Sequence, residues 1–158
     1  MRATLCDGFT TKVVSLEEAL RAAQDSGKYA WIELNASEKA EVEVVAQALK
    51  IHPLTLEDLD HRNQRAKIEE FPNYLFLVLH WFAKIDTRST PVELHCILTN
   101  HVLVTVVDGG VLPIIDGVQA QLMKGFGPGP VGADGIMYRL IDAVIDAPDP
   151  RRAGHLGA

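Results

Sequence analysis

The stretch Tyr74-Leu-Phe-Leu-Val-Leu-His-Trp-Phe-Ala-Lys-Ile85 is the longest apolar run in the chain, and it decides the fold. Its aromatic and branched residues favour a β-strand. Apolar residues fill nearly every position, whereas a strand with one wet face would alternate. Such a strand is buried on both faces, so the sheet that contains it needs a layer of structure on each side.

Helices and strands alternate around this run. Apolar residues at helical spacing predict a helix capped by Ser15 and stopped at Gly27, a helix starting at Asn35 or Ser37, and further helices over 113–124 and 133–146. Alternation and composition predict strands over 2–6, 9–14, 29–34, 92–98 and 102–107, with a polar turn over 86–90 and a hairpin turn over 99–101.

This order of elements predicts an α/β domain over residues 1–146: a three-layer α/β/α sandwich with a mixed β-sheet between two helix layers. The tail, residues 147–158, carries Pro148 and Pro150 and is expected to be disordered.

Length and composition narrow the class of protein. The chain has 158 residues and is 47% hydrophobic with a mean hydropathy of +0.08, which is typical of a globular domain. A net charge of -6 argues against a nucleic-acid partner. No stretch resembles an export signal or reaches the roughly 18–20 apolar residues of a membrane-spanning helix. Cys6 and Cys96 are expected to be buried thiols of a cytoplasmic protein.

The segment 52–70 joins a short acidic helix to a basic loop. Pro53 suits the first turn of that helix, and its leucines can face a core while Glu57, Asp58 and Asp60 stay outside. In the last helix, Asp142 and Asp146 share a polar face. Mg²⁺ prefers carboxylate oxygens, so a metal site is possible chemistry, but residue types alone favour solvated charge.

Other motifs point away from an enzyme. The segment Gly127-Pro-Gly-Pro-Val-Gly132 has the letters of a dinucleotide fingerprint, but it follows a helix and its prolines lack N–H donors, so we interpret it as an interhelical loop. No phosphate-binding loop or nucleophile elbow occurs, and no two histidines have the spacing of a zinc helix. Glu57 and His61, four residues apart, are better explained by a surface salt bridge.

Five segments, taken together and in order, resemble the N-terminal cytoplasmic domain of the CorA family of magnesium and cobalt transporters, whose zinc-transporting branch shares the fold. They are Trp31-Ile-Glu-Leu34, Ile51-His-Pro-Leu-Thr-Leu-Glu-Asp58, Gln64-Arg-Ala-Lys-Ile-Glu69, Tyr74-Leu-Phe-Leu-Val-Leu79 and Tyr138-Arg-Leu-Ile-Asp-Ala-Val-Ile-Asp146. The resemblance extends from about Ser15 to Asp146.

The resemblance implies a soluble regulatory domain that senses divalent cations at the cytoplasmic face of the inner membrane. Family members are homo-pentameric channels in which each subunit adds a stalk helix and two membrane spans to this domain. Asp58 matches a ligand of the sensing ion, and Glu57 and Asp142 match residues of a second ion site nearby. The implied cofactor is a weakly bound regulatory ion: Mg²⁺, or Co²⁺ or Zn²⁺.

The sequence departs from the family after Asp146, where the stalk, the spans and the pore signature do not follow. We therefore expect that this chain does not conduct ions by itself, that it is a monomer or weak oligomer, and that its metal site is weaker than the family's. A stand-alone binding module derived from the family is the alternative from a different functional class.

Overall fold

The computed structural model describes residues 1–8, 10–25, 27–61, 63–85, 88–109, 113–126, 129 and 131–146. Within them, seven strands form one sheet: β1 (Arg2–Cys6), β2 (Thr11–Val14), β3 (Tyr29–Asn35), β4 (Lys67–Phe71), β5 (Tyr74–Ile85), β6 (Arg88–Leu98) and β7 (Val102–Val107). The α-helices are α1 (Leu16–Arg21), α2 (Lys39–Ala48), α3 (Pro53–Asp60), α4 (Pro113–Lys124) and α5 (Ala133–Asp146), with a 3₁₀ turn at Ala22–Gln24 after α1.

The sheet is mixed, as predicted. Its strand order is β2-β1-β3-β7-β6-β5-β4, with β3 and β7 paired in parallel and the other neighbours antiparallel. The predicted hairpin joins β6 to β7, and its turn is closed by the Thr99 and Val102 backbones and by the Thr99 hydroxyl.

Two separate cores cover the two faces of the sheet, which confirms the three-layer architecture. Alternate side chains of β5 divide between them: Phe76 and Val78 pack with α1, α2 and α3, and Leu77 and Trp81 pack with α4 and α5. We call these the α3 face and the α5 face. Between Tyr74 and Trp81 the long apolar strand therefore has buried side chains on both sides, as its run of apolar residues predicts.

The prediction of a basic loop over residues 64–70 was wrong in its second half. Residues 67–71 form β4, an edge strand paired with β5 from Lys67↔Val78 to Phe71↔Tyr74. An edge strand leaves one row of backbone groups unpaired and commonly carries charged residues. The charged residues of β4 made its sequence look like that of a loop.

Some element boundaries also differ from the predictions. β6 begins at Arg88 instead of Val92, and over Arg88–Leu94 the structure pairs it with β5 on one side, where a proline such as Pro91 is tolerated. The first helix ends at Arg21, and the second begins only at Lys39. Phe9 and the tail, residues 147–158, lie outside the described residues.

Both cysteines are buried free thiols, as predicted, and burial raises the pKa of each. Among the described residues, no helix combines the length and the apolar character that crossing a membrane demands.

Candidate metal-binding site

Hydrogen bonds at the N-terminal end of α3 connect this helix to the start of β5. The His52 imidazole caps the helix, accepting through Nδ1 from the Leu54 N–H at 3.1 Å, and Pro53 occupies the first turn as predicted. The Tyr74 hydroxyl accepts from the His52 N–H at 3.0 Å and lies 2.8 Å from the buried Thr55 hydroxyl. Thr55 and Leu59 are the buried residues of α3, so the helix is attached by polar contacts as well as by apolar packing.

Gln64 anchors the other end of α3. Its side-chain amide donates to the backbone oxygens of Asp58 at 2.6 Å and His61 at 2.9 Å, which satisfies carbonyls that the helix end leaves open. Its backbone N–H donates to Glu93 on β6 at 2.7 Å. The connection from α3 to β4 is thereby fixed to the sheet.

Asp58 faces β4 and is held by a lysine. Its Oδ2 lies 2.9 Å from Lys67 Nζ, and the same ammonium lies 3.0 Å from Glu69 Oε1. Asp58 and Lys67 keep 31% and 32% of their side chains exposed, so the pair is neither dry nor fully solvated. The hydrogen bond to Asp58, followed by that to Glu69, raises the pKa of Lys67. The carboxylate that the resemblance ranks first already has a cationic partner.

The other carboxylates of α3 are exposed. Glu57 points to solvent, and Asp60 pairs with Lys39 Nζ at 2.8 Å. Glu57 and His61 do contact each other: His61 Nδ1 lies 2.8 Å from the Glu57 backbone oxygen. The spacing did bring the two residues together, but through a side chain–backbone contact in place of the predicted salt bridge.

Asp142 lies on the far side of the molecule from Asp58. It is exposed on α5, which packs on the α5 face of the sheet, whereas α3 packs on the opposite face. Within one chain the structure brings Glu57 and Asp58 to the same helix end and leaves Asp142 beyond the sheet. The described residues contain no group of three or more His, Cys, Asp or Glu side chains arranged to hold a metal ion.

The sequence did not reveal a second polar cluster on the α3 face. Glu93 Oε2 lies 2.7 Å from Nε2 of the fully buried His95, and Glu93 Oε1 lies 3.1 Å from His80 Nε2. Burial raises the pKa of Glu93, but the hydrogen bonds led by His95 and the Gln64 N–H outweigh it and lower this pKa overall. His95 and Glu93 are two apart on a strand, a signal of a shared face, but the register with His80 was not readable.

A small cavity lies where the parallel strands β3 and β7 end. Its volume is about 220 Å³, and Glu33, Asp116 and Arg2 are among its lining residues. Arg2 binds both oxygens of Glu33, at 2.6 and 2.7 Å, and contacts Asp116 at 3.3 Å. Burial raises the pKa of Glu33, and the contacts with Arg2 only partly offset that rise.

Comparison with known proteins decides the family. The family model described as "CorA-like Mg2+ transporter protein" matches residues 26–150, which is most of the chain. This protein belongs to the CorA-like Mg²⁺ transporter family.

A curated CorA-family relative is the cobalt/magnesium transport protein CorA of Thermotoga maritima, 32% identical over 135 residues. The alignment covers 82% of this chain but 38% of the Thermotoga protein, so the chain spans well under half of that relative's length.

Two solved protein domains share the fold. The soluble domain of CorA from Methanocaldococcus jannaschii aligns with a TM-score of 0.63 at 13% identity, over 90% of this chain and 55% of that one. The ZntB cytoplasmic domain from Vibrio parahaemolyticus aligns with a TM-score of 0.69 at 9% identity, over 91% of this chain and 57% of that one. The family resemblance and the α/β class inferred from the sequence are both confirmed.

Proposed function

We propose that this CorA-like domain is the cytoplasmic, divalent-cation-sensing part of a metal ion transporter, with Asp58 as its first ligand and Glu57 and Asp142 as further ligands. The observation that carries the proposal is the position of Asp58. It lies at the end of a short helix held by polar contacts, partly open to solvent and within reach of the connection to β4. Binding of a charge there can shift that helix end.

The separation of Asp142 from Asp58 supports ion binding between subunits. The sheet stands between the two carboxylates, so an ion that used α3 of one chain and α5 of another would need two copies of the domain. Such an ion would stabilise one arrangement of the copies, and its loss would release it. We propose a pentamer for the longer transporter, and a monomer or weak oligomer for this chain, which sedimentation would test.

The chemistry of the ligands favours Mg²⁺ or Co²⁺. Carboxylate oxygens suit hard divalent ions that keep much of their water, and a wet site with few carboxylates binds weakly, as sensing of an abundant ion requires. Zn²⁺ more often takes nitrogen and sulfur ligands. The zinc-transporting branch of the family is therefore the alternative, and Zn²⁺ is the competing ion in the test.

Thermal melting in the presence of divalent ions tests the proposal. An ion that binds only the folded chain raises the melting temperature with its concentration. We expect millimolar MgCl₂ or CoCl₂ to raise it more than NaCl of matched ionic strength, and Asp58→Asn to reduce that rise. Asp60→Asn, which removes a neighbouring carboxylate, is the matched control. A melting temperature that does not change with Mg²⁺, Co²⁺ or Zn²⁺ would contradict ion sensing by this domain.

A further inference from the structure

The Lys67 ammonium lies beside Asp58 Oδ2, on the side of Asp58 that faces β4. Its Nζ lies 2.9 Å from Asp58 Oδ2 and 3.0 Å from Glu69 Oε1, so one ammonium bridges a carboxylate of α3 and a carboxylate of β4. A divalent ion bound by Asp58 on the side facing β4 would stand closer still to its oxygens, about 2.0–2.6 Å away. The ammonium and the ion cannot both be there.

Strand β4 and the side chain of Phe76 position Lys67 beside Asp58. Lys67 and Glu69 are two residues apart on β4, so both side chains point to the α3 face, where their partners across the ladder are Val78 and Phe76. The Lys67 ammonium lies 5.6 Å from the ring centre of the fully buried Phe76, a favourable position for a cation over an aromatic face. The strand, the ring and two carboxylates therefore all position one positive charge.

We propose that Lys67 is a built-in competitor that sets the affinity of Asp58 for divalent cations. In the ion-free chain its ammonium offsets one of the two negative charges of Asp58 and Glu69, and an ion that binds Asp58 on the side facing β4 must displace it. The inference rests on the proposed role of Asp58 and adds the residue that tunes it. Ion pairs exposed to this degree contribute little to stability, so millimolar ion can overcome the competition.

Loss of the ammonium should have two linked effects. Lys67→Met leaves Asp58 and Glu69 as neighbouring like charges with no cation between them, so the ion-free chain becomes less stable. The same change removes the competitor, so the apparent dissociation constant for Mg²⁺ falls by up to roughly fivefold, the equivalent of the one ion pair with Asp58 that the ion would otherwise have to break. Lys67→Arg keeps the charge and should stay near the parent chain.

The experiment is a titration of the melting temperature with MgCl₂ for the 158-residue chain and its variants. Lys67→Met is compared with Lys39→Met. Lys39 pairs with the exposed Asp60, which lies on α3 as Asp58 does, so this control removes an equal charge from a neighbouring ion pair. We expect the midpoint of the titration to move to a lower MgCl₂ concentration in Lys67→Met but not in Lys39→Met. Lys67→Gln replaces it if the methionine variant does not melt cooperatively. Lys67→Met combined with Asp58→Asn should lose the response.

The outcomes separate this inference from the proposed function. If Asp58→Asn weakens the response of the parent chain but Lys67→Met and Lys67→Gln leave its midpoint unchanged, Lys67 does not compete and the inference is overturned while ion sensing stands. If the parent chain is silent and Lys67→Met responds through Asp58, the inference holds. If neither chain responds, the ion-sensing proposal fails and the inference fails with it.

Discussion

The helices α3 and α5 carry the three candidate carboxylates, yet they are attached to the sheet by different means. The 14-residue α5 buries five residues in one apolar stripe. The eight-residue α3 buries Thr55 and Leu59 and is also held by hydrogen bonds to the Tyr74 hydroxyl, the Gln64 side chain and the Lys67 ammonium. Apolar packing is indifferent to nearby charge, whereas hydrogen bonds and ion pairs respond to it. We therefore expect the attachment of α3 to respond to nearby charge more strongly than that of α5.

The largest expected effect tests the apolar attachment of α5. Leu140→Ala removes a fully buried side chain and should lower the free energy of unfolding by about 2–5 kcal/mol, since the cavity closes only in part. Ile145→Ala, on the same helix but 74% exposed, should change it by less than about 0.5 kcal/mol. Urea denaturation measures both. Similar losses in the two variants would show that α5 is not held by this stripe.

The next effect tests the polar attachment of α3. Tyr74→Phe deletes the hydroxyl that serves the His52 N–H and the buried Thr55, and leaving those groups unpaired should cost about 1–3 kcal/mol. Tyr138→Phe makes the same chemical change on the 54% exposed Tyr138 of α5 and should cost almost nothing. Hydrogen exchange of the α3 amides provides a second measurement, because the loss should appear there first. If Tyr74→Phe left the free energy of unfolding unchanged, polar contacts would not distinguish the attachment of α3 from that of α5.

A smaller effect separates the two aspartates in the absence of divalent ions. Asp58→Asn breaks the pair with Lys67 and should lower stability by less than about 1 kcal/mol, because both groups are about one-third exposed. Asp142→Asn on the surface of α5 should have no effect. The Asp58→Asn loss should shrink in high NaCl, which screens the pair. Denaturation at two salt concentrations measures it, and a loss independent of salt would point to packing instead of charge.

The smallest effect concerns the sign of acid titration on the two faces. Glu93, on the α3 face, has a lowered pKa, so its contribution to stability is present above the ordinary value of 4.5 and is lost as the pH falls below it. Glu33, on the α5 face, has a raised pKa, so its protonation adds stability as the pH falls through values above 4.5.

Glu93→Gln should therefore flatten the acid loss of stability, and Glu33→Gln should steepen it. Thermal melting across the acid range measures the two slopes relative to the parent chain. Shifts of the same sign in both variants would contradict the difference between the faces.

Much of the fold was predictable because it depends on local pattern. The apolar run Tyr74–Ile85 required two covered faces, and the structure has them. Pro53 marked the start of α3, and the apolar stripe of α5 marked its extent. The edge strand β4 escaped prediction because its charged residues look like those of a loop, and only pairing with β5 makes it a strand.

The candidate site divides in the same way. The sequence by itself determined the layered architecture, because residue type and periodicity are local properties, and its resemblance to the family identified Glu57, Asp58 and Asp142 as candidate ligands. Only the tertiary structure could show that Lys67 binds Asp58, that Glu93 contacts two histidines, and that Asp142 stands on the opposite face of the sheet. Those relations depend on strand register and on which face each helix covers, and both are settled by contacts between distant parts of the chain.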